Sequence, residues 1–184
     1  NYRLLITFFG IGLLCIAAAI LYTAGSKPYG YAGLGDLSVL LFFGGVGVTG
    51  SLFLFTHSVS SWSLLPALAC GLFSVGVLNI NNMRDIESDR QAGKYSIPVR
   101  IGKAKAGLYH WFLLIGGLSA AVIYTLWNYQ SPVQFLFLLS LPVFLSIGKA
   151  VNEKPSEQLD PYLKRMALGT LLFVILFGVG HLIA

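Results

Sequence analysis

Apolar residues run along this chain in long unbroken stretches, and the polar residues are gathered between them. Crossing a hydrocarbon core takes roughly 20 mainly apolar residues in a helix. Six segments meet that length: about 4–22, 37–55, 62–80, 108–127, 133–150 and 166–184. None of them contains Asp or Glu. The runs lack the two-residue alternation of membrane strands, so the pattern predicts an all-α fold, a polytopic bundle of transmembrane helices. Glycines fall largely inside the segments, as at Gly44, Gly45, Gly47 and Gly50, or Gly116 and Gly117. Small residues let helix backbones approach closely in lipid, so the helices are expected to pack on one another. No repeat of fixed period and no polar linker divides the chain, and residues 1–184 read as a single membrane domain.

Composition sharpens the class. Of the 184 residues 56% are hydrophobic and 10% charged, against about 25% charged in a soluble domain. A compact domain this small is mostly surface and cannot hide so large an apolar share. In a soluble protein the net charge of +5 would suggest a nucleic-acid partner, but its distribution argues otherwise. Six spans put loops 1, 3 and 5 on one side, and every basic residue except Arg3 falls there, as do all seven acids. The positive-inside rule makes that side, with loops 23–36, 81–107 and 151–165, cytoplasmic. No nucleic-acid partner is expected.

Cys15 and Cys70 sit in apolar runs and read as small buried hydrophobes. Trp62, Trp111 and Trp127 lie near span ends and read as interface anchors. His57, His110 and His181 are scattered over different spans, which suggests neither a metal cluster nor a catalytic triad. The chain enters its first apolar run directly from Asn1-Tyr2-Arg3, without an initiator Met or a signal-peptide n-region, and is expected to belong to a longer protein.

One stretch carries candidate chemistry: Asn79-Ile80-Asn81-Asn82-Met83-Arg84-Asp85-Ile86-Glu87-Ser88-Asp89-Arg90-Gln91-Ala92-Gly93-Lys94. If the third helix continues out of the membrane, Asn81, Asp85 and Asp89 share a face, with Asn82 beside them. Two carboxylates one turn apart repel, and a hard divalent cation relieves that repulsion. Mg²⁺ prefers oxygen ligands, takes one or two carboxylates, and completes its shell with water and substrate phosphates. Asp85 and Asp89 therefore fit half of a magnesium-diphosphate site, with Arg84, Arg90 and Lys94 available to diphosphate oxygens. The same spacing also fits a solvated helix end whose acids pair with Arg84 and Arg90. The two asparagines weigh against that, because unpaired amides near the bilayer edge are costly and imply a polar cavity. Gly93 reads as a helix terminator. The loop Tyr22–Asp36, with four glycines and a proline, brings Lys27 and Asp36 to the same side. Lys27 is a candidate phosphate contact and Asp36 a candidate N-cap of the second span.

At these two stretches the sequence resembles the UbiA superfamily of intramembrane aromatic prenyltransferases, and within it the branch that acts on 1,4-dihydroxy-2-naphthoate in menaquinone biosynthesis. The resemblance rests on N-I-N-N-M-R-D-I-E-S-D-R-Q-A-G-K at 79–94 and S-I-P-V-R-I-G at 96–102. Y-T-A-G-S-K-P-Y-G-Y-A-G-L-G-D at 22–36 and S-V-L-L-F-F-G at 38–44 add to it. It implies a nine-helix bundle in a bacterial inner membrane, of which these six spans are the last six. It further implies Mg²⁺ held between two aspartate-rich motifs, a polyprenyl diphosphate donor and a naphthoate acceptor that loses its carboxylate. Asp85 and Asp89 match the second motif as metal-binding, catalytic residues. Asn81 and Asn82 match the amides leading into it. Lys27, Arg84, Arg90 and Lys94 become diphosphate contacts. The first motif, of N-D-x-x-D type, is absent from these residues, so the chain alone is expected to be inactive.

The rival class is a transporter or channel fragment with Asp85 and Asp89 as pathway carboxylates, but both lie at a span's end rather than mid-membrane. A CDP-alcohol phosphotransferase lacks support, because Ile86-Glu87 follow Asp85 where its motif requires D-G. A pure assembly subunit predicts tolerance of Asp85→Asn.

Overall fold

The computed structural model describes residues 2–26 and 28–184, Arg3 by its backbone alone. Among the described residues eight helices follow in order, besides a single 3₁₀ turn at Ser156–Gln158: α1 (Tyr2–Thr23), α2 (Gly35–Thr56), α3 (Ser61–Arg84), α4 (Ile86–Gln91), α5 (Ile97–Ile101), α6 (Lys103–Trp127), α7 (Pro132–Glu153) and α8 (Asp160–Leu182). Six of them, α1, α2, α3, α6, α7 and α8, are long and apolar enough to span a bilayer. No strand occurs among the described residues. The six expected spans are all present, but several helices outrun their apolar stretches. α3 continues through Asn81 to Arg84, α6 starts at Lys103 and α8 at Asp160. Hydropathy marks only the part suited to hydrocarbon, whereas the backbone hydrogen-bond ladder carries on until a residue or a cap stops it.

The centre of the bundle is α3, packed between α2, α6 and α8. Phe73 is fully buried, stacked on Phe144 of α7 at 4.6 Å between ring centres and edge-on to Phe173 of α8 at 4.8 Å. Gly117 of α6 accepts the Phe73 ring where a side chain would not fit: an added Cβ would lie 2.6 Å from it. At the α2–α3 crossing Gly44 meets Gly71, with 2.9 Å between a would-be Cβ and the Gly71 Cα. Small residues thus bring the helix axes together, as expected for association in lipid. Trp111, expected to be an interface anchor, instead lays its ring against Gly148 of α7. Trp62 and Trp127 stack on each other at 4.0 Å at the end of the bundle away from loops 1, 3 and 5. Cys15 and Cys70 carry free thiols and are only partly buried.

The middle of α2, Leu40–Thr49, is wound as a π-helix, a geometry that often marks functional segments. α1 has no buried residue in its span. It touches α2 through Phe8 and Phe53, 5.8 Å apart, and is tied down mainly at its loop. There the Tyr29 hydroxyl donates to the Ala18 carbonyl at 2.8 Å. The Tyr95 amide donates to the Tyr31 carbonyl at 2.8 Å, and Arg100 Nη2 donates to the Ala32 carbonyl at 2.6 Å. Loop 1 is therefore hooked onto loop 3. Loop 5 joins them through Asp160 at the head of α8, which accepts from Arg84 at 2.7 Å.

Candidate functional site

The expected continuous face over Asn81, Asp85 and Asp89 is modified by a pivot. α3 ends at Arg84, and Asp85 takes φ −97°, ψ 16° before α4 begins. The ladder nevertheless bridges the pivot, with the Asp85 amide donating to Asn81 O at 3.1 Å and the Asp89 amide to Asp85 O at 2.8 Å. Asn81, Asp85 and Asp89 remain one turn apart while the axis between them breaks. α4 is then closed by Gly93, whose φ of +70° suits glycine and reverses the chain. The Lys94 amide donates to Asp89 O at 2.8 Å. This reversal turns Lys94 back into the site. Its Nζ lies 2.8 Å from Asp89 Oδ2 and donates to Asn82 Oδ1 at 3.0 Å. Ser96 Oγ approaches the same Asp89 oxygen at 3.5 Å. Asn82 and Asp89 are buried.

Arg84 holds the other carboxylate. Its Nε and Nη2 donate to the two oxygens of Asp85 at 2.7 and 2.8 Å, Nη2 also donates to Asn81 Oδ1 at 3.0 Å, and Nη1 reaches Asp160. The hydrogen-bonded guanidinium holds the Asp85 carboxyl below its ordinary value of 3.8 against partial desolvation, and the Lys94 charge acts in the same direction. Arg90 is placed elsewhere: it pairs with Glu87 at 3.2 Å on an exposed face. Lys27 lies outside the described residues. Asp36 is not the N-cap of α2, because the helix starts one residue earlier behind Leu34. It sits in the first turn, 8% exposed, and accepts from the Tyr109 hydroxyl of α6 at 2.9 Å.

Two cavities adjoin this charged end. One of about 730 Å³ lies between α1 and α2, walled by Cys15, Ala19 and Phe42 and edged by the hydroxyls of Tyr22, Tyr29 and Ser38. The other, about 550 Å³, lies between α2, α3 and α8, with Phe43, Val77 and Leu163 as walls and Asn81, Asp160 and Lys164 at its mouth. Val39, Phe43 and Leu78 line both. Sequence reasoning singled out neither Tyr109 nor Asp160 nor Lys164. The signal for Asp160 and Lys164 was the sorting of charged residues to one side of the bundle, which gives their side but not their neighbours; Tyr109 carried none.

The donor chemistry suits a hard cation. Asp85 and Asp89 offer carboxylate oxygens and Asn81 and Asn82 amide oxygens, the ligand class Mg²⁺ prefers. Among the described residues no three His, Cys, Asp or Glu side chains gather into a metal cluster. Two aspartates match the one or two carboxylates that Mg²⁺ takes alongside phosphate oxygens and water.

Residues 2–171 match the profile of the UbiA prenyltransferase family. Over 185 aligned residues the chain is 46% identical to the 1,4-dihydroxy-2-naphthoate octaprenyltransferase of Haemophilus influenzae, covering 100% of this chain and 60% of that protein. It is 45% identical to the protein of the same name from Escherichia coli, covering 94% of this chain and 56% of the relative. The corresponding Mycobacterium tuberculosis protein is 36% identical over 90% of this chain and 56% of its own length. The chain therefore spans 56–60% of the length of these relatives. No solved structure matches it.

Proposed function

The chain belongs to the UbiA prenyltransferase family, and on that footing we propose that it forms part of an inner-membrane enzyme that prenylates 1,4-dihydroxy-2-naphthoate in menaquinone synthesis. One observation carries the reading: Asp85 and Asp89 stand one turn apart, each gripped by one cation, and Asn81, one turn before Asp85, lies at the mouth of an apolar cavity. Such an arrangement suits a substrate that is anionic at one end and hydrocarbon at the other. Residues 1–184 are taken as one membrane domain within a nine-helix bundle. The charged end, with loops 23–36, 81–107 and 151–165, faces the cytoplasm, because basic residues concentrate there.

In this reading Asp85 and Asp89 bind Mg²⁺, with Asn81 and Asn82 beside them. When bound, the ion offsets the negative charge that accumulates on the diphosphate as the allylic C–O bond breaks. Arg84 and Lys94 exchange their carboxylate partners for diphosphate oxygens, a substitution of one charge-assisted bond for another. Lys27 is a further contact for the same group, and Arg90 joins it only by giving up Glu87 and the exposed face it occupies. The bond's electron pair leaves with the diphosphate, and the allylic cation is attacked by the ring carbon that carries the acceptor's carboxylate. Loss of CO₂ returns an electron pair to the ring and restores its aromaticity. The apolar walls keep water from capturing the cation first.

The test is Asp85→Asn or Asp89→Asn in the full-length protein. Each is expected to abolish Mg²⁺-dependent prenyl transfer while the protein still folds and inserts. Wild-type turnover in either variant would overturn the assignment.

A further inference from the structure

We propose that Lys164 of α8 binds the diphosphate of the prenyl donor, and that the cavity between α2, α3 and α8 holds the first part of its hydrocarbon tail. The inference rests on the function proposed above and adds to it a residue 70 positions beyond Lys94.

The mouth of that cavity is polar and its interior is not. Lys164 and Asp160 share it with Asn81, the amide that already accepts from Arg84. Behind them the lining is hydrocarbon, with Phe43 from α2, Val77 and Leu78 from α3 and Leu163 from α8, apart from Ser74, whose hydroxyl donates to the Cys70 carbonyl at 2.8 Å. Its volume of about 550 Å³ lies within the range of small-molecule sites. A ligand matching this lining has an anionic head and an apolar body.

The described cations assigned above to the diphosphate are already paired. Arg84 is committed to Asp85 and Asp160, Lys94 to Asp89 and Arg90 to Glu87. Lys164 has no acid within ion-pair distance among the described residues, although Asp160 stands one turn before it on the same helix. Asp160 is turned to Arg84 instead, at 2.7 Å. That bond fixes the head of α8 against Asp85, and Lys164 lines the mouth from α8 with its charge uncommitted. A diphosphate at the mouth would meet Arg84, which already bonds Asn81 and Asp160 there, and Lys164 from α8.

The experiment uses the full-length protein in detergent or nanodiscs, with Lys164→Met, Lys164→Gln and Lys164→Arg. Loss of one charge-assisted contact is expected to raise KM for prenyl diphosphate about ten- to a hundred-fold, leaving KM for the naphthoate acceptor unchanged. Lys164→Arg should keep most of the affinity. A readout independent of turnover is inorganic diphosphate with Mg²⁺, which should raise the melting temperature of the wild-type protein and of Lys164→Arg but much less that of Lys164→Gln. A normal KM and a normal diphosphate-induced shift in Lys164→Gln would overturn the inference. Failure of the underlying reading looks different: Asp85→Asn would then turn over like wild type, whatever Lys164 does.

Discussion

Arg84 serves three acceptors at once, Asp85, Asn81 and Asp160, and its grip on Asp85 has a consequence for acid behaviour. The Asp85 carboxyl is held below 3.8, so this pair's contribution to stability is complete above that ordinary value. It is lost as pH falls through the lower folded-state value. Arg84→Met should therefore destabilise the protein by about 1 kcal/mol near neutral pH, the scale of a partly exposed pair. The deficit should close in strong acid, where the wild-type pair is also discharged. Melting curves in detergent across the pH range check this, and an equal deficit at every pH would contradict it. The local members of the site, Asp85, Asp89, Asn82 and Lys94, were legible in the sequence because one turn of helix and one glycine reversal bring them together. Asp160 and Tyr109 were not. Their partners are 76 and 73 residues away, and no spacing rule reaches that far.

Helices α3, α6, α7 and α8 meet around a cluster of rings with no spare room. Phe73 cannot retreat from Gly117, because Phe144 and Phe173 already occupy its other sides. Gly117→Ala is expected to cost about 1–3 kcal/mol, the usual penalty for an overpacked core. Gly178→Ala on α8, where an added Cβ meets nothing within 4 Å, should leave the melting temperature in place. Equal behaviour of the two variants would show that the ring cluster is looser than it looks. Apolar runs foretold the number of spans and their order, since length and hydropathy are local properties. They did not foretell the π-wound stretch of α2, because winding answers to packing against α3 as much as to composition. Nor did they mark the break at Asp85, where the sequence remains a good helix former on both sides.

Across the whole molecule, the residues of loops 1, 3 and 5 form one assembly at one end of the bundle. The charge asymmetry in the sequence anticipated their common side but not their contacts. Arg100 is the fastening between loops 1 and 3, donating to Ala32 O and to Tyr95 O at 2.6 and 2.8 Å. Arg100→Ala should free loop 1 while leaving the ring cluster intact. Limited proteolysis at residues 24–34 and hydrogen exchange at the Tyr95 amide should both accelerate, and unchanged exchange there would count against the fastening. The same hook sets an order of assembly. Its two halves, Ala32 and Arg100, are 68 residues apart in the chain. At ordinary ribosomal speed that separation is roughly 3–14 s. During that interval loop 1 stands without its partner, and the clasp closes only when the basic loop has been translated.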